Sequence, residues 1–172
     1  MADELKRQNS TELFEIYEET RLPRKIVLLV CYGNICRSPI AEGFLKEMLL
    51  DKTDKVKVIS AGLNAYGGSP TGEAIEVMKT EGIDISGYRS KQLTKEMVET
   101  ADLILTMKKE YKNSILSSYP EFKHKVFTLK EFAGETEDLD VADPYARGMK
   151  AYEACAKEIK LNLTNAFEKI VN

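Results

Sequence analysis

The chain has 172 residues, 43% of them hydrophobic, enough for one packed core with little room for a second. Its 25 basic and 28 acidic side chains leave a formal charge of -3, which gives no electrostatic reason to expect nucleic acid or an anionic membrane as partner. No apolar run approaches the roughly 20 residues of a membrane helix, the charged amino terminus lacks a signal-peptide pattern, and an odd count of 3 cysteines argues against a disulfide framework, so a cytoplasmic protein with reduced thiols is expected.

Residues 1–24 are polar, with Leu13, Ile16 and Tyr17 at helical spacing, and read as an extension that is either a short helix or disordered. Residues 25–172 read as a single domain. There, short apolar β-branched runs at 26–30, 56–59, 103–106 and 126–129 predict strands buried on both faces. Helical periodicity and caps predict helices over 39–50, over 72–80 with Gly82 as its stop, over 95–99 behind a Thr94 cap, over 109–117, and over 150–170. Residues 132–148 carry Gly134, Pro144, Gly148 and five acids, and read as a long loop of the functional kind. The alternation predicts an α/β fold of three layers, a four-stranded parallel sheet flanked by helices. No repeat or low-complexity segment interrupts it.

The informative stretch runs from Val27 through Cys31-Tyr32-Gly33-Asn34-Ile35-Cys36-Arg37-Ser38-Pro39: a buried strand, a tight turn, then a helix. The carboxyl end of a parallel strand feeding a helix amino terminus is where anions bind in such sheets. Ser38 suits the N-cap and Pro39 the first helical position. Gly33 allows a positive φ, and an arc from Tyr32 to Arg37 would turn successive N–H groups inward as a nest for a tetrahedral oxyanion such as phosphate or sulfate. Arg37, six residues after Cys31, supplies a planar fork for two of its oxygens. The helix dipole, the amide ring and Arg37 all favour the thiolate, the nucleophilic form of cysteine.

Other chemistries fit less well. The single histidine, His124, lies far along the chain in a charged stretch, which leaves a Cys-His hydrolase unsupported. The Lys-Ser/Thr ending of a nucleotide P-loop is absent. A Cys-x4-Cys spacing with one distant histidine does not make four zinc ligands, so no metal and no cofactor is expected.

These residues resemble the low-molecular-weight protein tyrosine phosphatases, whose Cys-x5-Arg-Ser signature reads here from Cys31 to Ser38. The likeness continues in Pro39-Ile40-Ala41-Glu42, Ser60-Ala61-Gly62, Asp102-Leu103-Ile104-Leu105-Thr106-Met107 and Asp143-Pro144-Tyr145. The resemblance implies a phosphatase acting on phosphorylated proteins as a monomer, with Cys31 as nucleophile, Arg37 as phosphate clamp and Asp143 as acid. A phenolate, conjugate base of a group with pKa near ~10, leaves poorly without such a proton. The resemblance also implies a network of Asn34, Ser38 and Ser60 holding the loop, with Tyr88 where the family has a histidine, and Lys108 where it has an aspartate. Tyr32, Tyr66 and Tyr145 stand where relatives line an aromatic pocket, with Ile35 on its floor.

Phosphotyrosine is the expected substrate. The segment 125–132 resembles a branch that removes phosphate from arginine, but that branch carries threonine where this chain has Ile35. Thiol-dependent arsenate reductases share the fold but need two further cysteines around the helix after the third strand, and 102–118 holds none; Cys155 reads as a buried helix cysteine. A non-catalytic phosphate-binding module would have no use for Cys31 or Asp143, and a pure redox protein none for Arg37. Cys36 is expected either to pack behind the loop or to trap Cys31 as a reversible disulfide under oxidation.

Overall fold

The computed structural model describes residues 25–172 apart from 53 and 54. The expectation for residues 1–24 lies outside the described residues. Four strands, β1 (Lys25–Cys31), β2 (Val56–Gly62), β3 (Leu103–Thr106) and β4 (Val126–Thr128), form one parallel sheet in the order β2-β1-β3-β4. The strand carrying Cys31 is therefore central, and its carboxyl end lies between those of β2 and β3.

Full burial on both faces explains the unbroken apolar run of β1. Val27 and Leu29 face one core with helices α1 (Arg37–Met48), α2 (Gly72–Thr80) and α6 (Met149–Val171). Leu28 and Val30 face a second with α3 (Lys95–Thr100) and α4 (Lys109–Ser118). All four side chains are wholly buried, and burial of that kind contributes about 1.5–3 kcal/mol each. This is the three-layer arrangement expected.

The helix signals mostly hold. Thr94 caps α3 by accepting from Met97 N, and Gly82 follows α2 with a φ of 77°. Two expectations need correction. Residues 129–133 are not strand and loop but a short helix, α5 (Leu129–Ala133), because Thr128 and Glu131 form a reciprocal capping box that starts a turn there. The long loop thus begins at Gly134 rather than Phe132. Ser38 is not the N-cap of α1: the helix begins at Arg37 behind Cys36, which makes no side-chain cap, and Pro39 is its third residue. The Ser38 hydroxyl is engaged elsewhere, as the site shows.

Candidate active site

The turn from Cys31 to Arg37 wraps around the Cys31 sulfur. Asn34 N donates to Sγ at 3.2 Å, and Ser38 Oγ lies 3.0 Å away on the other side. Among the described residues, the N–H groups of Gly33, Ile35 and Cys36 donate to no protein acceptor, which leaves them for an anion. The positive φ needed to close the turn falls on Asn34 (54°), not on Gly33. An asparagine tolerates that conformation, and here its side chain is fixed at both ends. Oδ1 accepts from Lys91 N at 2.9 Å, and Nδ2 donates to Ser38 Oγ and Ser60 Oγ, each at 2.8 Å.

The direction of this network follows from its ends. Lys91 N can only donate, so the Asn34 amide nitrogen must face the two hydroxyls. Ser60 gives its proton to the Glu42 carboxylate, which is buried and also accepts from Lys46. Ser38 receives a hydrogen from Asn34 and lies within hydrogen-bonding distance of Cys31 Sγ, to which its hydroxyl would donate once the sulfur is a thiolate. Tyr88, expected to complete this network, does not: among the described residues its hydroxyl bonds to none of Asn34, Ser38 and Ser60. Its ring instead lies 4.8 Å beneath Lys46 Nζ, and Glu42 takes the position next to Ser60.

Arg37 is almost wholly buried. Nη1 donates to the Val141 carbonyl at 3.2 Å, and Nη2 donates to Tyr111 Oη at 3.1 Å and to Asp143 Oδ2 at 2.8 Å. Nε is buried with no partner among the described residues, an orphan donor on the fork that an oxyanion would use. Burial opposes the Arg37 charge, but the neighbouring Cys31, Tyr111 and Asp143 outweigh it and push its pKa up.

Cys31, Arg37 and Asp143 share one cleft of about 460 Å³, with Tyr32, Gly33, Ile35, Cys36, Tyr66 and Tyr145 also on its walls. The three tyrosines are exposed at the rim; Tyr32 is steadied by Asn64, whose Nδ2 donates to its hydroxyl at 3.0 Å. Behind the loop, Cys36 Sγ lies 3.1 Å from Tyr152 Oη and 3.7 Å from Thr71 Oγ1, and burial raises its pKa despite those hydrogen bonds. Cys155 is buried in α6 with its thiol pushed up to about 12, chiefly by desolvation. All three cysteines are free thiols. His124 is exposed and away from the cleft.

A family model for "Low molecular weight phosphotyrosine protein phosphatase" matches residues 26–172. The chain belongs to this family. It is 44% identical to a probable low molecular weight protein-tyrosine-phosphatase, EpsP, of Ralstonia nicotianae, over 79% of this chain and 89% of that one. It is 39% identical to a protein-arginine-phosphatase of Geobacillus stearothermophilus, over 84% and 95%. Among solved structures, a low molecular weight protein tyrosine phosphatase from T. tengcongensis superposes with a TM-score of 0.78 at 42% identity, covering 84% of this chain and 99% of that one.

Within the low molecular weight phosphatase frame, three residues of the site carried no separate signal in the sequence. Glu42 stands in the family-like Pro39-Ile40-Ala41-Glu42 and Tyr111 at an ordinary helical position, and neither showed in sequence what it would face. Gly62 ends β2 so close to the loop that a Cβ there would meet Tyr32 O at 2.5 Å and Asn34 N at 2.9 Å. Its place after Ser60-Ala61 in the family-like segment was the available clue.

Proposed function

We propose that residues 25–172 form one phosphatase domain that hydrolyses phosphotyrosine in proteins through a cysteinyl-phosphate. The observation that carries this reading is the convergence on one oxyanion-sized bowl of a sulfur, an orphan arginine N–H and a carboxylate. Cys31 thiolate attacks phosphorus in line, so the S–P bond forms as the P–O bond to the phenol breaks. Asp143 gives its proton to the departing oxygen. Water then attacks phosphorus, Asp143 takes back a proton, the S–P bond breaks, and inorganic phosphate leaves with the thiolate restored. Ser38 steadies that thiolate, while Arg37 and the loop amides hold the equatorial oxygens. Phosphate or sulfate alone should occupy the same bowl.

Tyr32, Tyr66 and Tyr145 favour an aromatic ester, since a stacked ring adds about 0.5–1.5 kcal/mol per well-placed pair. The arginine-phosphatase reading draws on the Geobacillus relative and on 125–132. That segment supports it weakly: Val126, Thr128 and Leu129 are buried in the core, and nothing between 125 and 132 lines the cleft. Ile35 does line it. No described helix is long and apolar enough to cross a membrane. The enzyme proposed here works in the cytoplasm as a monomer. Cys36 as a redox partner for Cys31 is checked by intact mass after mild peroxide, where loss of two hydrogens without added oxygen marks the disulfide.

The deciding experiment compares phosphotyrosine and phosphoarginine peptides with wild type, Cys31→Ser and Ile35→Thr. Phosphotyrosine turnover that vanishes in Cys31→Ser, with gained phosphoarginine turnover in Ile35→Thr, is the expected result. Equal or better phosphoarginine turnover by wild type would overturn the substrate assignment.

A further inference from the structure

We propose that Tyr111 is a positioning residue for the phosphatase reaction, holding the Arg37 guanidinium in place when Asp143 leaves it. The inference rests on the phosphatase reading and adds a residue to it. Arg37 Nη2 has two hydrogens, and they are divided between Asp143 and Tyr111. Asp143 cannot keep its share through the reaction. As an acid it must carry a proton and face the leaving oxygen, and a protonated carboxyl is no longer an ion-pair partner. An oxyanion bound through Nε and Nη2 also takes the Asp143 place on Nη2.

What then remains on the fork is the Val141 carbonyl on Nη1 and the Tyr111 hydroxyl on Nη2. Both are neutral, so they fix the plane of the guanidinium without neutralising its charge, which stays available to the phosphoryl oxygens. The Tyr111 ring supports the same geometry from a second direction, with Arg37 Cζ 5.5 Å from its centroid. Burial keeps the hydroxyl protonated by raising its pKa. Tyr111 also touches the pocket wall: its ring centroid lies 6.4 Å from that of Tyr32 at 32°. One buried side chain thus joins the arginine to the wall on which the substrate ring would lie.

Tyr111 sits in the first turn of α4, and its N–H bonds to the Lys108 carbonyl at 3.2 Å.

The test is a double-mutant cycle on binding of inorganic phosphate, read by calorimetry, with Tyr111→Phe, Asp143→Ala and the double variant. Tyr111→Phe keeps the ring and removes only the acceptor, so it should remain folded with an unchanged melting temperature. It should bind phosphate about tenfold more weakly, the scale of one hydrogen bond to a charged group. Its cost should be larger in the Asp143→Ala background, where Val141 alone remains. Wild-type affinity in Tyr111→Phe, or an equal or smaller cost in that background, overturns the proposal. If wild type neither binds phosphate nor hydrolyses either ester, the phosphatase reading falls and this inference with it; normal wild-type turnover alongside an unaffected Tyr111→Phe removes this inference alone.

Discussion

Asp143 Oδ2 lies 2.8 Å from Arg37 Nη2 although 106 residues separate the two in sequence. The long acidic loop is folded back over the site so that the Asp143 carboxylate rests on the buried guanidinium. Its side chain is still 44% exposed, so it can swing to a leaving group without unburying anything large.

That exposure gives the proposed acid, Asp143, a testable signature. Asp143→Asn should bind phosphate yet lose roughly a hundredfold or more in kcat on phosphotyrosine peptides. The loss should shrink as the leaving phenol becomes more acidic, because a better leaving group needs its proton less. Equal losses across a series of substituted aryl phosphates would remove the acid role.

Glu42 takes the Ser60 proton at the far end of the network that holds Asn34. Glu42→Ala leaves the Ser60 hydroxyl and Lys46 without their carboxylate, which should lower unfolding stability by about 1–3 kcal/mol in urea titration. Glu42→Gln, nearly isosteric, keeps an acceptor for Ser60 but loses the charge that pairs with Lys46, while Lys91 N still fixes the Asn34 amide. Its stability loss should be smaller than that of Glu42→Ala, with kcat and KM close to wild type. Equal stability losses in the two variants would contradict this.

Gly62 cannot carry a side chain without moving the loop, since the atoms its Cβ would meet are backbone. Gly62→Ala should cost about 1–3 kcal/mol as overpacking and lower activity more than stability alone explains. Thermal melting and phosphate affinity on the same preparation check this. A stable Gly62→Ala variant with wild-type phosphate affinity would mean the loop yields freely.

A pH effect on stability is expected from Glu131. Burial alone would raise its pKa, but hydrogen bonds from Lys112 (2.7 Å) and Thr128 N (3.1 Å) outweigh it and hold the carboxyl below its ordinary value. A depressed carboxylate stabilises the fold above its unfolded pKa of about 4.3, and that contribution is lost as pH falls through the folded value. Glu131→Gln should therefore flatten the acid limb of a stability-against-pH curve while changing its slope little at neutral pH. Parallel curves for the two proteins would contradict it.

The placement of Cys31 and Arg37 around one turn was legible because it is written locally: one strand, one turn and one helix start, with residue types that make little sense apart. Tyr111, Glu42 and Gly62 were not, because each acts across the fold, and an isolated tyrosine, glutamate or glycine says nothing of what it will face. Ser38 misled for a physical reason, since a serine before proline is a good cap unless a stronger claim on its hydroxyl exists, and Asn34 and Cys31 make that claim. The capping box of α5 was readable in Thr128-Leu129-Lys130-Glu131; the apolar Val126, Phe127 and Leu129 outweighed it. Tyr88 was placed by its position in the family pattern, and the Lys46–Glu42 pair shows why position alone was insufficient.

The contact between Tyr152 and Cys36 spans 116 positions of sequence, so the turn around Cys31 is buttressed by the last helix of the fold. Warming that loosens α6 at its first turns would relax the turn while the sheet is still intact. Hydrolysis should therefore fail at a lower temperature than circular dichroism records melting, and the interval between the two measures how tightly α6 and the turn are joined.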